Sequence, residues 1–428
     1  MLWLYRLLFL PAMLALAPSY LARMRRRGGY REKFSQRFGA HRGLPAKRAG
    51  VRRVWLQAVS VGEMLAIGPL LEGLTRAGDV EVYLTTTTST GYRVAADRYR
   101  GRTMGLGYFP IDWWPFSRRA WRSIAPDLVI LTEGERWPEH IHQAGKRGVP
   151  VVAVNARMSD RSFRRLRTFG FAVRPVLDGI TRLLACSEPD AARFRELGVP
   201  EKRIQTTGNL KLDVRIPRLD VAEKARLRRE LGLPAEGLVL MGSSTWPGEE
   251  AVLLEALRRA RGEGMACSLL VVPRHAERRK EIEPVMRASG LAFHFRSQGA
   301  AAETVDVAVG DTTGEMRNFL QLADVVFVGK SLPPHTEGQT PVESAALGRP
   351  LVLGPGMANF RAIARELVAQ GAAVQVADAE ELKTELVALL RDAGRRAALA
   401  AAAQAWQQAN AGAVERTLAV LREMLGRG

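Results

Sequence analysis

Residues 338–350 read GQTPVESAALGRP, and the fold is decided by what flanks them. Directly before lies a short apolar run, Val325 to Val328, in ADVVFVGKS; just after lies a second, Pro350 to Gly354. A buried strand, a loop, a short helix starting near Pro341 and another buried strand make a βαβ unit. Proline suits a first helical turn because its missing N–H would have no partner there. Such a helix start offers free N–H groups and a positive dipole end to an anion. Glu343 falls in that first turn and could accept hydrogen bonds from a ribose, which reads as a nucleotide-sugar site. The plainer alternative is an ordinary crossover with a solvated glutamate.

The same alternation extends outward in both directions. Upstream, VWLQAVS, EVYLTTTTSTG, TMGLGYFPID, PDLVILTE, VPVVAVNAR, ITRLLACS and RIQTTGN read as strands with helical stretches between them. Around and beyond the opening segment, LVLMGSST, CSLLVVPRH, LAFHFRS, TVDVAVGD, ADVVFVG, RPLVLGP and AAVQVAD repeat the pattern. Strands separated by helices of about ten residues imply parallel sheets covered on both faces. The polar stretch from Asn209 to Leu233, with Pro217 and Pro234 near it, reads as a hinge. The expected organisation is an anchor over 1–27, a Rossmann-like domain over 28–208 and a second over 209–428. The fold class is α/β, two Rossmann-like parallel-sheet domains. Ligands would bind beyond the carboxyl ends of the strands, in an interdomain cleft.

With 63 basic against 44 acidic residues, the net charge is +19, and the chain is drawn to polyanions. Twelve Lys/Arg against one acid, Glu32, fall between Arg23 and Arg53, and a second cluster comprises Arg157, Arg161, Arg164, Arg165 and Arg167. No RNP pattern, zinc finger or helix-turn-helix accompanies them, so nucleic acid is not an expected partner. Met1 to Ala22 is apolar apart from Arg6, with Trp3, Tyr5 and Tyr20 near its ends and RMRRR after it. Border aromatics and a basic flank mark a membrane anchor facing anionic head groups. Its uncharged core, Leu7 to Leu21, is shorter than the ~20 residues of a comfortable span. Spanning and monotopic attachment both remain open. A cleaved signal peptide is opposed by Pro18 after Ala15-Leu16-Ala17 and by the arginines. Cys186 and Cys267 sit far apart in apolar runs and read as free thiols of a reducing compartment. No HExxH, CxxC or histidine cluster appears, and neither metal nor cofactor is expected.

Several strand ends carry candidate chemistry. Ser60-Val61-Gly62-Glu63 follows the first strand, and a carboxylate there can serve as a general base on a sugar hydroxyl; the alternative is a glutamate complementing the helix dipole. Thr88, in TTTTSTG, offers a hydroxyl to a sugar or phosphate. Glu133-Gly134-Glu135 ends PDLVILTE, where unpaired core carboxylates would be costly. Asn155, Arg157 and Ser159 follow the next strand. In the second half Gly242-Ser243-Ser244 form a small-residue cradle. Pro273-Arg274-His275 place an arginine where a nucleotide phosphate would lie. Lys330, Ser331, Gln339, Thr340 and Glu343 complete that wall.

From Tyr30 to Phe360, in order, the pieces SVGE, TTTTSTG, LTEGERWP, NARMSDRSFR, CSEPDAARFRELG, TGNLKLD, GSSTWPGEE, VPRHAER, GDTTGEM, ADVVFVGKS and ESAALGRPLVLGPGMANF resemble the 3-deoxy-D-manno-octulosonic acid (Kdo) transferases of lipopolysaccharide biosynthesis. The resemblance implies a GT-B fold and metal-independent, inverting transfer. Kdo would pass from CMP-Kdo to a phosphorylated lipid A precursor of the lipid IVA type, at the cytoplasmic face of the inner membrane. It implies Glu63 as base, Arg274 on the CMP phosphate and Glu343 on the ribose. Where the family pattern reads GGHNPLEPA this chain has EGQTPVESA, with Gln339 for His and Thr340 for Asn, and Lys330 replaces a glycine in GGS. These changes leave a related CMP-linked acidic sugar open as donor. The rivals are a GT-B transferase using another nucleotide sugar, and a non-catalytic basic protein that binds lipid or nucleic acid.

Overall fold

In the computed structural model, which describes residues 2–27, 32–168 and 170–426, every run expected to be a strand is one. The first seven are β1 Arg52–Gln57, β2 Val80–Thr86, β3 Gly105–Tyr108, β4 Leu128–Thr132, β5 Val151–Ala156, β6 Arg182–Ala185 and β7 Ile204–Thr206. They form one parallel sheet ordered β3-β2-β1-β4-β5-β6-β7. The order reverses between β1 and β4, where Gln57 pairs with Leu131. Apolar side chains alternate onto two cores, Val54, Leu56, Val82 and Ile130 on one face and Trp55, Tyr83, Val129 and Leu131 on the other. Burial on both faces is why these strands read as continuous apolar runs.

The second seven are β8 Leu238–Thr245, β9 Cys267–Pro273, β10 Phe293–Phe295, β11 Val307–Val309, β12 Val325–Val328, β13 Leu351–Leu353 and β14 Ala373–Gln375. Their sheet is ordered β10-β11-β9-β8-β12-β13-β14 and reverses between β8 and β12. The opening segment is the expected βαβ unit: β12 pairs in parallel with β13, and the helix Val342–Ala346 connects them.

The chain divides into two compact units, Met1–Asp213 with Gly412–Gly428, and Val214–Ala411. The tail, expected to close the second domain, thus belongs to the first. The reason is local. Asp213 accepts the Gly412 N–H at 3.1 Å and the Val414 N–H at 2.7 Å, fastening the start of the helix Ala413–Gly426. That helix packs Leu418 against Gly73, where an added Cβ would lie 2.3 Å from Leu418 Cδ1. Asp213→Ala would leave two N–H groups without this acceptor. The expected cost is about 1–3 kcal/mol, read as a lower Tm and faster hydrogen exchange in the terminal helix.

The first helix, α1, spans Leu2–Arg27. The basic stretch YREKFSQRFG reads in sequence as an amphipathic helix ending at Gly39 and followed by a linker; residues 28–31 lie outside the described residues, and the rest is corrected to one short 3-10 turn, Phe34–Phe38. Left-handed backbone at Lys33 (φ 49°) and Gly39 (φ 76°) bounds that turn. Gln36 and Arg37 are buried, Gln36 accepting the Tyr108 N–H at 3.0 Å and Arg37 donating to the Thr87 carbonyl at 2.9 Å. Arg53 is also buried, against Glu81 at 2.6 Å. Two charges of the basic band therefore serve the interior rather than a membrane. The second cluster, by contrast, is exposed around the helix Asp160–Thr168. Cys267 is buried and Cys186 half-buried, both as free thiols.

Candidate active site

Because Gln57 and Leu131 are paired, the segments leaving β1 and β4 emerge side by side. Glu63 lies in the first turn of α2 (Val61–Ala66), capped by Ser60, whose Oγ accepts the Glu63 N–H at 3.2 Å. The Glu63 carboxylate is buried and accepts three hydrogen bonds: from the Val59 N–H at 3.0 Å, Ser60 Oγ at 2.9 Å and Thr132 Oγ1 at 2.5 Å. A carboxylate offers about four acceptor positions; one is left for a proton to be removed. Glu133 adopts left-handed backbone (φ 51°) just past β4. Its carboxylate pairs with Lys211 and stands 3.7 Å from Arg157. Glu135 accepts the Trp137 indole N–H at 2.5 Å. Its carboxyl is pushed up to about 7, chiefly by burial and further by the Glu63 and Glu133 charges, against the pull of Trp137 and Arg136. A carboxyl titrating near neutrality beside a second carboxylate is an arrangement suited to proton transfer.

Lys211 was not singled out from the sequence. It is brought here by Asn155, whose left-handed backbone (φ 52°) aims its Oδ1 at the Leu210 N–H, 2.9 Å away. That bond folds the loop after β7 back over the strand ends. Lys211 Nζ then lies 3.8 Å from where a Cβ on Gly62 would be. Asn155, a candidate to hold an anion by its place at the end of β5, thus uses its side-chain oxygen to hold the loop. Thr88 caps α4 (Ser89–Tyr99; α3 is Gly68–Thr75), its Oγ1 accepting the Gly91 N–H at 3.0 Å and donating to the Val59 carbonyl at 2.9 Å. Ser159 is exposed and accepts the Ser162 N–H at 3.2 Å; Arg157 is exposed beside it. The structure therefore gathers Glu63, Glu133 and Glu135, links Arg157 to Glu133, and turns the Thr88 hydroxyl to local capping.

The second unit repeats the geometry with opposite charge. Gly242 lies within β8 and serves packing: a Cβ there would meet Leu253 Cδ1 at 2.4 Å. Ser243 is buried, and Ser244 turns the chain with φ 54°. Pro273 ends β9, and Arg274 and His275 after it are exposed. No hydrogen bond or ion pair engages the Arg274 side chain among the described residues. Gly329 follows β12 so closely against β8 that a Cβ would lie 2.5 Å from the Ser244 carbonyl oxygen. Lys330 comes next with φ 58°, its Nζ 4.4 Å from the Trp246 ring centre and 3.3 Å from Glu337. Gln339 returns its N–H to the Gly329 carbonyl at 3.1 Å, and Thr340 Oγ1 accepts the Val342 N–H at 3.3 Å. Glu343 pairs with Arg317 at 2.7 Å.

Glu249 organises this wall and escaped the sequence reading. It is buried and accepts the N–H groups of Trp246 and Lys330 at 2.8 Å, Ser331 at 2.9 Å and Leu332 at 3.2 Å. Burial raises its carboxyl above the usual range. Glu250 accepts from Thr245 Oγ1 and from Arg278, each at 2.8 Å, so the buried arginine of VPRHAER is Arg278. Among the described residues no three His, Cys, Asp or Glu side chains form a group that could hold a metal.

Residues 32–214 match the family described as 3-Deoxy-D-manno-octulosonic-acid transferase (kdotransferase). The chain is 36% identical to the 3-deoxy-D-manno-octulosonic acid transferase of Bordetella pertussis, covering 94% of this chain and 95% of that one. It is 30% identical to the Haemophilus influenzae enzyme of the same name, over 93% and 92% of the two chains. The solved UDP-GlcNAc 2-epimerase of Neisseria meningitidis superposes with a TM-score of 0.55 at 11% identity, over 88% of this chain and all of that one, a likeness of fold alone. Two Rossmann-like sheets, a GT-B-like neighbour and full-length similarity to enzymes of one name make this glycosyltransferase a member of the Kdo transferase family.

Proposed function

We propose that this enzyme transfers Kdo from CMP-Kdo to a phosphorylated lipid A precursor of the lipid IVA type, with inversion, at the cytoplasmic face of the inner membrane. The observation that carries the reading is Glu63: a buried carboxylate at the strand reversal, oriented by three donors with one acceptor position left. Glu63 removes the proton of the acceptor hydroxyl. The acceptor oxygen bonds to the anomeric carbon of Kdo, and the bond from that carbon to the CMP phosphate oxygen breaks on the opposite face. CMP leaves with the electron pair, its phosphate held by Arg274, and Glu343 meets the ribose. Lys211 keeps the Glu133 charge paired beside the base. Exposed Arg157, Arg161, Arg164 and Arg165 supply cations for the acceptor phosphates.

The test is to incubate the purified full chain with CMP-Kdo and a tetraacylated disaccharide bisphosphate and to weigh the product. Added Kdo mass is the expected result; none, beside an active reference enzyme, overturns the reading. Thermal shift with CMP against UDP separates the CMP donor from another nucleotide sugar.

Lys330 supports an acidic donor sugar. A non-glycine residue in left-handed backbone costs roughly 1–2 kcal/mol, yet here it sets an ammonium group at the strand ends. Lys330→Gly removes that strain together with an ion pair and a cation–π contact of similar total worth. The expected result is a Tm within about 3 °C of the parent, by that near cancellation. KM for CMP-Kdo is expected to rise about tenfold, the loss of one charged hydrogen bond, with kcat unchanged. An unchanged KM would remove Lys330 from the donor site.

A further inference from the structure

We infer that α1 is a monotopic anchor, latched to the first unit at its N-terminal turn by Tyr5 and Arg6, that inserts its outer face into one leaflet of an anionic bilayer instead of crossing it. By length and composition Leu2–Ser19 could span a membrane. The contacts of its first turns forbid that. Arg6 grips buried Glu139 with both arms of its guanidinium, at 2.8 and 3.0 Å. Tyr5 donates to Asp112 at 2.6 Å. Asp112 is itself fixed by the N–H groups of Glu139 and His140, at 3.1 and 2.9 Å. Both latch residues lie inside the stretch that would have to occupy hydrocarbon. The chain after α1 is also held on the same unit: Glu32 accepts from Tyr92 at 3.2 Å, and Phe38 packs on Phe116 at 5.1 Å between ring centres. A hydrocarbon layer of about 30 Å cannot be crossed once between Arg6 and Glu32 when both are held on the same globular unit.

The burial pattern along the helix says the same. Leu2, Tyr5, Arg6, Phe9, Met13 and Ala17 are half-buried, a stripe of helical period running over four turns. The helix therefore lies lengthwise on the protein. The opposite face is equally apolar and uncovered: Trp3 is 79% exposed, Leu7 71%, Leu8 58% and Leu14 62%. A helix apolar all round must be covered on every side; the protein covers one half. The occupant of the other is argued from charge. Half-exposed Trp114 stands beside Arg6, and Arg118, Arg119 and Arg122 are exposed on α5 (Trp114–Ile124). Arg23 and Arg25 to Arg27 follow in the sequence. An apolar strip rimmed by cations and border tryptophan fits the interface of an anionic membrane.

Three measurements on the full chain test this, none of them reading turnover, so they stand apart from the proposed reaction. With an epitope tag before Met1, protease is added to spheroplasts and to inverted vesicles. The tag is expected to be cut only where the globular part is cut; tag and globular part protected in opposite preparations would overturn the inference. In a Cys186→Ser/Cys267→Ser background that keeps Tyr5, Arg6, Asp112 and Glu139, Trp3→Cys with Trp114→Cys, at the two exposed rings beside the Arg6 guanidinium, is expected to be cross-linked by a short bis-maleimide in membranes. Two reactive thiols without a cross-link would sink the latch. Leu7→Asp with Leu8→Asp is expected to lower sedimentation with phosphatidylglycerol vesicles at least tenfold without changing the melting curve. Undiminished sedimentation, or a dimer that forms without vesicles and occupies the same face, would overturn lipid insertion.

Discussion

Glu63→Gln is expected to lower kcat by about 10²–10⁴-fold, the usual worth of a positioned general base, while the chain stays folded. The amide cannot take the acceptor proton, yet it keeps the length and one acceptor oxygen. That oxygen can still serve the Val59 N–H and Thr132 Oγ1, which converge on Glu63 Oε2. Ser60 Oγ loses its acceptor on Oε1 and can reorient, since a hydroxyl both donates and accepts. The stability cost should therefore be about 1 kcal/mol. The two functions of this carboxylate, capping α2 and taking a proton, predict opposite signatures. If it only caps the helix, the melting temperature falls and turnover survives. If it is the base, turnover collapses at nearly constant Tm, and KM for both substrates changes little because the lost interaction belongs to the transition state. Circular dichroism melts and single-turnover rates on the same preparation separate the cases. Glu63→Asp sharpens the comparison: the charge is kept, but the shorter arm gives up Thr132 or the acceptor, and rate should fall well below the parent.

The sheets were legible because buried parallel strands leave continuous apolar runs and their crossovers leave helical ones. Strand ends were equally legible, so the residues leaving β1, β4, β8, β9 and β12 could be named in advance. What lay hidden depends on contacts between distant segments. The Ala-rich tail gives no sign that Ala413–Gly426 belongs with Met1–Asp213, because the deciding acceptor, Asp213, is 199 residues away from Gly412. Lys211 looked like one cation among many; its place beside Glu133 follows from the backbone turn at Asn155. Glu249 lies in the first turn of the helix Glu249–Gly262, where a glutamate carries no sequence signal beyond the helix dipole, yet its carboxylate gathers four backbone N–H groups. The basic band erred the other way. Counting charges could not tell Arg37 and Arg53, drawn inward by a carbonyl and by Glu81, from their solvated neighbours.

Glu135→Gln is expected to make the protein more stable at pH 8 and to erase a titration from its turnover. In the folded chain the Glu135 carboxyl is pushed from 4.5 to about 7, with burial the main cause. Between those values the folded state holds a proton that the unfolded state has released, so stability falls as pH rises through this window. At about 1.36 kcal/mol per unit, the full penalty above pH 7 is on the order of 3 kcal/mol. The glutamine is uncharged throughout and can still accept from the Trp137 indole N–H. The two proteins should then melt alike near pH 4, and the variant should gain steadily to pH 8. A gap that does not vary with pH would mean that Glu135 is not held near neutrality. Catalysis should move the other way. Ionised Glu135 raises the electrostatic drive for a proton to reach Glu63, so parent turnover should climb through pH 7, and the variant should lose that inflection along with several-fold in rate at pH 8. A stabilising substitution that costs activity is what a strained active-site charge predicts; a surface glutamate with no part in the reaction would change neither curve.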